Sequence, residues 1–280
     1  MVISFIGSGK LARRFAKHFA KNDMPVTLGG FYDLPAKSAA EAAVEFKATL
    51  YTKIDNLVEN SDIICIAVPE DKIPRTVGAL KYNHTHGKII FHMSRKYASD
   101  VLDTGYENTI AAIYSTANVY TTLPAGIAGI PYIIEGEGKK LEDFKDILKK
   151  CGLNIEICDR KRAEIFIAAS NILEMNIFAA IANAETAIKA STGLSIRNSS
   201  SLILHNVNSM LTNPDAYMQL NIQPYLTAAG TAAKLADINK LDMPEYLKCS
   251  ALSAQMCSEK SALKNDDKYE IQIAVKKFIK

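Results

Sequence analysis

A short glycine-containing segment near the start of the chain could hold a phosphate group. Gly7 and Gly9 follow the apolar run 2–6, and Ala12 comes three residues after the second glycine. This G-x-G-x-x-A spacing allows a tight turn, a close approach of the main chain to a pyrophosphate, and close packing of a following helix. The free N–H groups at the start of that helix favour an anion. A strand-to-helix turn that merely needs small residues is the alternative, but the strand before and the helix after favour dinucleotide binding.

An acidic residue lies where a dinucleotide site needs one. Asp33 is 24 residues after Gly9 (33 − 9), close to the spacing of the acid that binds the adenosine ribose of NAD. A carboxylate there repels the 2′-phosphate of NADP, whereas the nearby Lys37 could attract it, so we expect NAD or NADP with NAD favoured. Asp33 as a solvated turn residue is the alternative. The predicted cofactor contacts are Gly7, Ser8, Gly9, Lys10, Leu11, Tyr32, Asp33, Val68, Pro69 and Ile73.

Polar side chains follow later predicted strands and could bind a substrate. The candidates are His92, Ser94, Tyr114, Ser115 and Asn171. We expect Ser94, Ser115 and Asn171 to hold the substrate, and Tyr114 or His92 to relay a proton. His92 could instead close a strand end through a backbone hydrogen bond, and Asn171 could bond within a helix bundle. Arg95 could pair with an acidic substrate.

Alternating strand and helix patterns position these residues. Apolar runs predict strands over 2–6, 25–32, 48–51, 62–68, 87–92, 109–114, 131–135 and 153–157, with helical spacing between most of them. This order predicts an α/β fold with a parallel sheet of the Rossmann type. The carboxyl ends of such strands form the binding edge of the sheet.

The pattern changes at Arg160, after which the sequence is rich in Ala, Ile, Leu and Asn. We predict a dinucleotide-binding domain over 1–159 and an all-helical domain over 160–280, beginning with a long helix over 161–190. Further helices are expected near 194–212, 214–222, 225–239, 243–263 and 267–278. A helical domain in this position commonly completes a substrate site in the cleft beside the sheet.

Composition excludes several classes of protein. The net charge is +3 over 280 residues and no long basic run is present, which argues against a nucleic-acid partner. The longest apolar stretches are too short to span a membrane. The five cysteines are scattered without C-x-x-C spacing, which argues against a disulfide framework or a zinc site and predicts no metal. The first strand begins at once, which leaves no room for a signal peptide, so a cytoplasmic protein is expected.

Several segments together carry a family resemblance. They are 5–12 (FIGSGKLA), 67–73 (AVPEDKI), 92–94 (HMS), 130–136 (IPYIIEG) and 168–171 (AASN). The chain resembles, over nearly its whole length, two-domain Rossmann proteins described as NADP oxidoreductases whose second half is the DUF2520 domain. The resemblance implies a helical domain similar to that of 6-phosphogluconate dehydrogenase, with pyrroline-5-carboxylate reductase and F420-dependent NADP reductase as relatives. It also implies a homodimer formed through the helical half.

The chain departs from that family at polar positions of the pocket. The family's His-Ser-Gly corresponds to His92-Met93-Ser94 here, and its His-Pro corresponds to Tyr114-Ser115. The lysine that the 6-phosphogluconate type of dehydrogenase uses one turn before the asparagine is Ile167. Either the substrate differs or catalysis has been lost.

These observations favour an NAD(P)-dependent oxidoreductase that transfers a hydride between nicotinamide and a small carbonyl, imine or hydroxy compound in the interdomain cleft. The alternative is a non-catalytic NAD(P)-binding sensor or partner subunit. Both hypotheses predict cofactor binding, and only turnover of a substrate separates them.

Overall fold

The computed structural model describes residues 1–21, 23–34, 36–116 and 126–172, with isolated positions beyond them. The chain divides into two compact units, Met1–Asn176 and Ile177–Lys280. The isolated positions beyond residue 172 are helical except Ser195, and the remainder of the predicted helices lies outside the described residues. The architecture below is that of the first unit.

Eight strands form one sheet. They are β1 (Val2–Ile6), β2 (Thr27–Tyr32), β3 (Thr49–Leu50), β4 (Ile63–Ile66), β5 (Ile89–His92), β6 (Thr109–Ser115), β7 (Pro131–Glu137) and β8 (Asn154–Ile157). Their order is β3-β2-β1-β4-β5-β6-β7-β8. The chain reverses its direction of travel across the sheet between β1 and β4, which makes the carboxyl ends of these two strands the topological switch point where ligands bind.

The sheet is parallel from β3 to β6, but β7 is antiparallel to β6. Since β8 is parallel to β7, the last two strands run opposite to the first six. The Rossmann-type α/β fold is confirmed, and the expectation of a wholly parallel sheet is wrong at this edge. The sequence shows no helical pattern between β6 and β7, and only a parallel neighbour requires a crossover helix.

Helices cover both faces of the sheet. They are α1 (Lys10–Phe19), α2 (Ala36–Phe46), α3 (Ile54–Glu59), α4 (Ile73–Tyr82) and α5 (Leu141–Lys150), with short 3₁₀ turns at Glu70–Lys72, Ser99–Leu102 and Ile127–Gly129. Among the described helices, none is long and apolar enough to cross a membrane.

Two apolar layers, one on each face of the sheet, explain why the strands are continuous apolar runs in the sequence. On one face Phe5, Phe31 and Phe91 are fully buried with side chains of α1, α2 and α5. On the other face Ile64 and Ile66 pack with side chains of α3 and α4. Burial of each such side chain contributes about 1.5–3 kcal/mol. The central strands are therefore covered on both faces, and their ends are held at fixed positions.

Residues 160–172 form a further helix, the 160–172 helix, which packs on the sheet. Ala163 is buried against Ala112 and Tyr114 of β6, and Phe166 and Ile167 lie at the edge of this cluster. The predicted boundary between residues 159 and 160 falls between the last strand and this helix, whereas the first compact unit continues to Asn176.

Candidate functional site

The turn between β1 and α1 requires glycine at its first position. Gly7 has φ +103°, a conformation that side chains other than glycine rarely adopt. A Cβ atom built there would lie 2.5 Å from the carbonyl oxygen of Ala67, just past the end of β4. The Gly7 N–H donates to the carbonyl oxygen of Tyr32 at 2.8 Å. The turn is thus fitted closely between the ends of β2 and β4.

The second glycine faces open space. Gly9 is the N-cap of α1 with an ordinary φ of −70°, and no described side chain caps the helix. A Cβ atom at Gly9 would meet nothing within 4 Å. The fold itself does not require glycine here, and the free N–H groups of the first turn border this space. Ala12 is fully buried behind them. The turn therefore fits the pyrophosphate of a dinucleotide, which the main chain could approach without a side chain between them.

Asp33 is bound to the glycine turn. Its Oδ2 accepts hydrogen bonds from the Ser8 N–H at 2.8 Å and from the Ser8 hydroxyl at 2.5 Å, and its Oδ1 accepts from the Leu34 N–H at 2.7 Å. The carboxylate therefore joins the end of β2 to the turn, so it is not merely a solvated turn residue. An ionised carboxylate has about four acceptor sites, and Oδ1 can accept one further donor such as a ribose hydroxyl.

Arg13 and Ser38 also hold this turn, and the sequence motif does not include them. The Arg13 Nε donates to the carbonyl oxygen of Ser8 at 3.0 Å, and its Nη2 donates to the carbonyl oxygen of Ser38 at 3.2 Å. The Ser8 hydroxyl also lies 2.7 Å from the Ser38 hydroxyl. The sequence signal for these contacts was an arginine in the first turn of α1, Arg13, together with two acidic residues four positions apart in α2, Glu41 and Glu45.

Two of the predicted cofactor contacts have side chains in the core. Leu11 and Ile73 are 6% and 1% exposed, so they could offer a ligand only their main chain. Val68 and Pro69 lie after β4, with Val68 half-buried and Pro69 exposed. Lys10 is exposed at the start of α1. The predicted contacts nevertheless all lie at the carboxyl edge of the sheet.

His92 is fully buried, and both ring nitrogens are bonded to the main chain. Its Nε2 is 3.2 Å from the carbonyl oxygen of Ala98, and its Nδ1 accepts from the Ser94 N–H at 3.1 Å. Burial lowers the pKa of His92 below its usual value. The neutral Nε2–H form satisfies both bonds. This geometry favours the structural alternative over proton relay, which would require one of these bonds to break.

Tyr114 is similarly constrained. Its hydroxyl donates to the carbonyl oxygen of Tyr97 at 3.0 Å, and the side chain is 3% exposed. Burial, which disfavours a phenolate, raises the pKa of Tyr114 well above its usual value. The hydroxyl thus keeps its proton and holds a loop.

Ser94 connects the loops that follow β4 and β5. Its hydroxyl donates to Glu70 Oε1 at 2.6 Å and accepts from the Lys96 N–H at 3.0 Å. Glu70 is exposed, whereas Ser94 is buried. The pair places a hydroxyl and a carboxylate together at the carboxyl edge of the sheet.

Arg95 brings together residues from three elements. Its Nη1 donates to Asn171 Oδ1 at 2.7 Å and its Nη2 donates to the carbonyl oxygen of Ser115 at 3.0 Å. The exposed Asn171 therefore bonds to the loop after β5, while the neighbouring Ser170 hydroxyl bonds within its own helix to Phe166 at 2.7 Å. Three positions singled out in the sequence, after β5, at the end of β6 and on the 160–172 helix, meet here.

A buried acid that the sequence did not reveal holds the same loop. The two carboxylate oxygens of Glu135 accept from the Ser99 N–H at 2.9 Å and from the Ser99 hydroxyl at 2.8 Å. Together with the bonds from His92 and Tyr114, this fixes residues 97–99 to three neighbouring strands. The loop that carries Arg95 is therefore held in place. Among the described residues, no group of three or more His, Cys, Asp or Glu side chains is arranged to hold a metal ion.

Comparisons with known proteins agree with this fold. Residues 1–113 match the oxidoreductase family with an NAD-binding Rossmann fold. No curated protein matches the sequence. The DUF2520 resemblance of the second half stays a prediction, since the family match covers only the first part of the chain.

Solved structures that are similar over nearly the whole chain include the following three. A Thermotoga maritima protein has a TM-score of 0.67 at 14% identity, covering 92% of this chain and 98% of its own. A pyrroline-5-carboxylate reductase from Coxiella burnetii has a TM-score of 0.60 at 14% identity, and the match covers 93% of this chain and 98% of the reductase. An imine reductase from Aspergillus terreus, in complex with NADPH4 and dibenz[c,e]azepine, has a TM-score of 0.59 at 14% identity. The match covers 96% of this chain and 98% of the reductase. At these identities the likeness establishes a shared fold.

Proposed function

We propose that this protein is an NAD(P)-dependent oxidoreductase that transfers a hydride between nicotinamide and a small carbonyl, imine or hydroxy compound. The observation that carries the proposal is the turn at Gly7–Gly9, where one glycine is required by the fold and the other borders open space at a helix start. The family match over residues 1–113 supports the cofactor class. The imine and pyrroline-5-carboxylate reductases among the similar structures support the substrate class.

The cofactor would supply the hydride chemistry, and the chain's residues would bind and orient the reactants. The main-chain N–H groups of Gly9 and the start of α1 would hold the pyrophosphate, since those of Gly7 and Ser8 are donated to Tyr32 and Asp33. Asp33 Oδ1 would accept a ribose hydroxyl. Arg95 and Asn171 would contact polar groups of the substrate at the ends of β5 and β6. We favour NAD over NADP because the Asp33 carboxylate would repel a 2′-phosphate.

A proton must also reach the reduced atom of the substrate. His92 and Tyr114 are bonded to main-chain atoms, whereas the Ser94 hydroxyl bonds to the exposed carboxylate of Glu70. We propose Ser94 Oγ as the group that gives its proton to the substrate. Ser94 takes a proton in turn from the protonated carboxyl group of Glu70, which is reprotonated by solvent.

Binding and turnover test the proposal in sequence. Calorimetry should show NADH or NADPH binding to the purified protein at concentrations up to about 1 mM. Oxidation of the bound cofactor should then follow addition of a cyclic imine or keto acid, measured as loss of nicotinamide absorbance. Failure to bind either cofactor would contradict the whole proposal.

A non-catalytic cofactor sensor remains the second candidate. The engagement of His92 and Tyr114 by the main chain favours it, as does an apolar residue, Ile167, where related dehydrogenases place a lysine. Tight cofactor binding without turnover over a broad panel of imines, keto acids and F420 would favour the sensor.

We also propose that the protein is a homodimer formed through its helical half. Ile165 and Ile172 are 69% and 60% exposed, and their i, i+7 spacing on the 160–172 helix places them along one stripe. Such a stripe is typical of a surface covered by another chain. Sedimentation equilibrium should give twice the chain mass, and an Ile172→Glu variant should sediment as a monomer.

A further inference from the structure

Arg13 connects two segments of the proposed cofactor site. Its Nε donates to the carbonyl oxygen of Ser8 in the glycine turn, and its Nη2 donates to that of Ser38 in α2, at 3.0 and 3.2 Å. The side chain is 28% exposed. Two hydrogen bonds from a rigid guanidinium to two separate segments fix their separation.

The charge of Arg13 is already paired. Its Nη1 forms an ion pair with Glu45, and its Nη2 lies 3.6 Å from Glu41 Oε2. Glu41 and Glu45 are one turn apart on α2, so both carboxylates approach the same guanidinium. Each of the three guanidinium nitrogens therefore has a partner within the protein.

This cation is connected through Ser8 to the acid that would receive the ribose. The Ser8 hydroxyl is 2.5 Å from Asp33 Oδ2 and 2.7 Å from Ser38 Oγ, and Arg13 binds the main chain of both serines. A guanidinium in such a position would ordinarily suit a phosphate, with which it can form two parallel hydrogen bonds. Here the two glutamates occupy it instead.

We propose that Arg13 is a positioning residue of the cofactor site, and that its pairing with Glu41 and Glu45 makes the site select NAD over NADP. The inference rests on the proposed function, since it presupposes a dinucleotide at the glycine turn. Arg13 sets the geometry of the turn through Ser8 and Ser38. Its glutamate partners keep the guanidinium away from a 2′-phosphate and add negative charge beside it.

Cofactor affinity tests the positioning role. The Arg13→Ala and Arg13→Lys variants should each bind both NADH and NADPH about tenfold more weakly by calorimetry, because a lysine amine cannot reach both carbonyl oxygens. Lys17→Ala, which removes an exposed charge from the same helix, is the matched control and should bind like the wild type. Thermal unfolding of each variant identifies a titration temperature at which that variant is folded. An Arg13→Lys variant that binds NADH as tightly as the wild type overturns the positioning role.

The ratio of the two affinities tests the selectivity role. Glu45→Gln should strengthen NADPH binding relative to NADH by about fivefold, because Nη1 of Arg13 then loses its carboxylate and becomes available to a 2′-phosphate. NADH affinity should be nearly unchanged, because Nε and Nη2 keep their bonds to Ser8 and Ser38. Glu59→Gln makes the same charge change at an exposed position of α3 and should leave the ratio unaltered. An unchanged ratio in Glu45→Gln overturns the selectivity role while the proposed function stands. A wild-type protein that binds neither cofactor overturns both the proposed function and the inferred role of Arg13.

Discussion

Ser8 donates both its main-chain N–H and its hydroxyl to one oxygen of Asp33, at 2.8 and 2.5 Å. The candidate phosphate-binding turn and the candidate ribose-binding acid are therefore one bonded unit. A substitution at either residue should alter both parts of the site, and single-residue effects on cofactor affinity should be non-additive.

A methyl group at Gly7 should destabilise the fold. Gly7→Ala places a Cβ 2.5 Å from Ala67 O at a φ of +103°, and we expect a loss of about 3 kcal/mol in the free energy of unfolding. Urea denaturation measures it. The control is Gly78→Ala in α4, where a Cβ meets nothing within 4 Å, which should leave stability unchanged or raise it by up to about 1 kcal/mol. Equal effects of the two substitutions would contradict the close fit described for Gly7.

A carboxylate at Gly9 should prevent cofactor binding without unfolding the protein. The backbone at Gly9 has φ −70° and a Cβ there enters open space, so Gly9→Asp is tolerated by the fold. The new charge would lie where the pyrophosphate is expected. Calorimetry with NADH and a thermal melt measure the two effects. Wild-type affinity in Gly9→Asp would place the cofactor elsewhere.

Reversing the charge at Asp33 should change cofactor preference at a cost in affinity. Asp33→Arg removes the repulsion of a 2′-phosphate, so the affinity for NADPH should rise relative to the affinity for NADH. It also removes the acceptor of both Ser8 hydrogen bonds, so NADH affinity should fall by about tenfold or more. Asp33→Asn, which keeps the shape, separates the charge from the hydrogen bonds. If the ratio of NADPH affinity to NADH affinity in Asp33→Arg equals that of the wild type, Asp33 has only a structural role.

Stability should decrease in mildly acidic solution because of two buried histidines. Burial lowers the pKa of both His18 and His92 in the folded protein, whereas in the unfolded chain both have the ordinary histidine pKa of about 6.5. Below that pH the unfolded chain takes up protons that the folded protein does not. The free energy of unfolding should therefore fall as the pH drops below about 6.5 and be unaffected by these groups above it.

Urea denaturation between about pH 5 and pH 8 measures this dependence. His18 bonds to the carbonyl oxygen of Cys151 at 2.7 Å, and His18→Gln, which keeps a donor, should reduce the slope with pH. A His18→Gln slope identical to that of the wild type would contradict the assignment of part of the effect to this residue.

Loss of Asn171 should affect turnover more than folding. Asn171 is exposed and its side chain accepts from Arg95, so Asn171→Ala should cost less than about 1 kcal/mol of stability. If it contacts substrate, kcat/KM should fall by about tenfold with NADH affinity unchanged. Lys161→Ala, an exposed residue of the same helix, is the control. A lowered melting temperature without a change in kcat/KM would favour a structural role.

The sequence predicted the fold well because the relevant signals are local. Each buried strand is a continuous apolar run such as 63–66, and the turn at Gly7 to Gly9 lies between a strand and a helix that are adjacent in sequence. The reversed direction of β7 was missed because apolar periodicity within a strand does not encode its direction. The available signal was the absence of a helical pattern between β6 and β7, since a parallel neighbour requires a crossover.

The candidate site was only partly predictable because its bonds join residues far apart in sequence. Arg13 meets Glu45 across 32 residues and Glu135 meets Ser99 across 36. No spacing rule connects such pairs. The same limit applies to His92, for which the sequence left open both proton transfer and a backbone hydrogen bond at a strand end. Its two main-chain partners favour the second.

The attachment of residues 97–99 to β5, β6 and β7 has a consequence for how substrate preference could diverge among proteins of this fold. Exchanging any one of the three anchoring side chains would leave a donor or acceptor of this loop without its partner. The cost is about 1–3 kcal/mol where that group is buried, as at Ser99. Compensation would then require coordinated changes on separate strands. The exposed Asn171 carries no comparable burial cost, so adaptation to a different substrate is expected to occur there first.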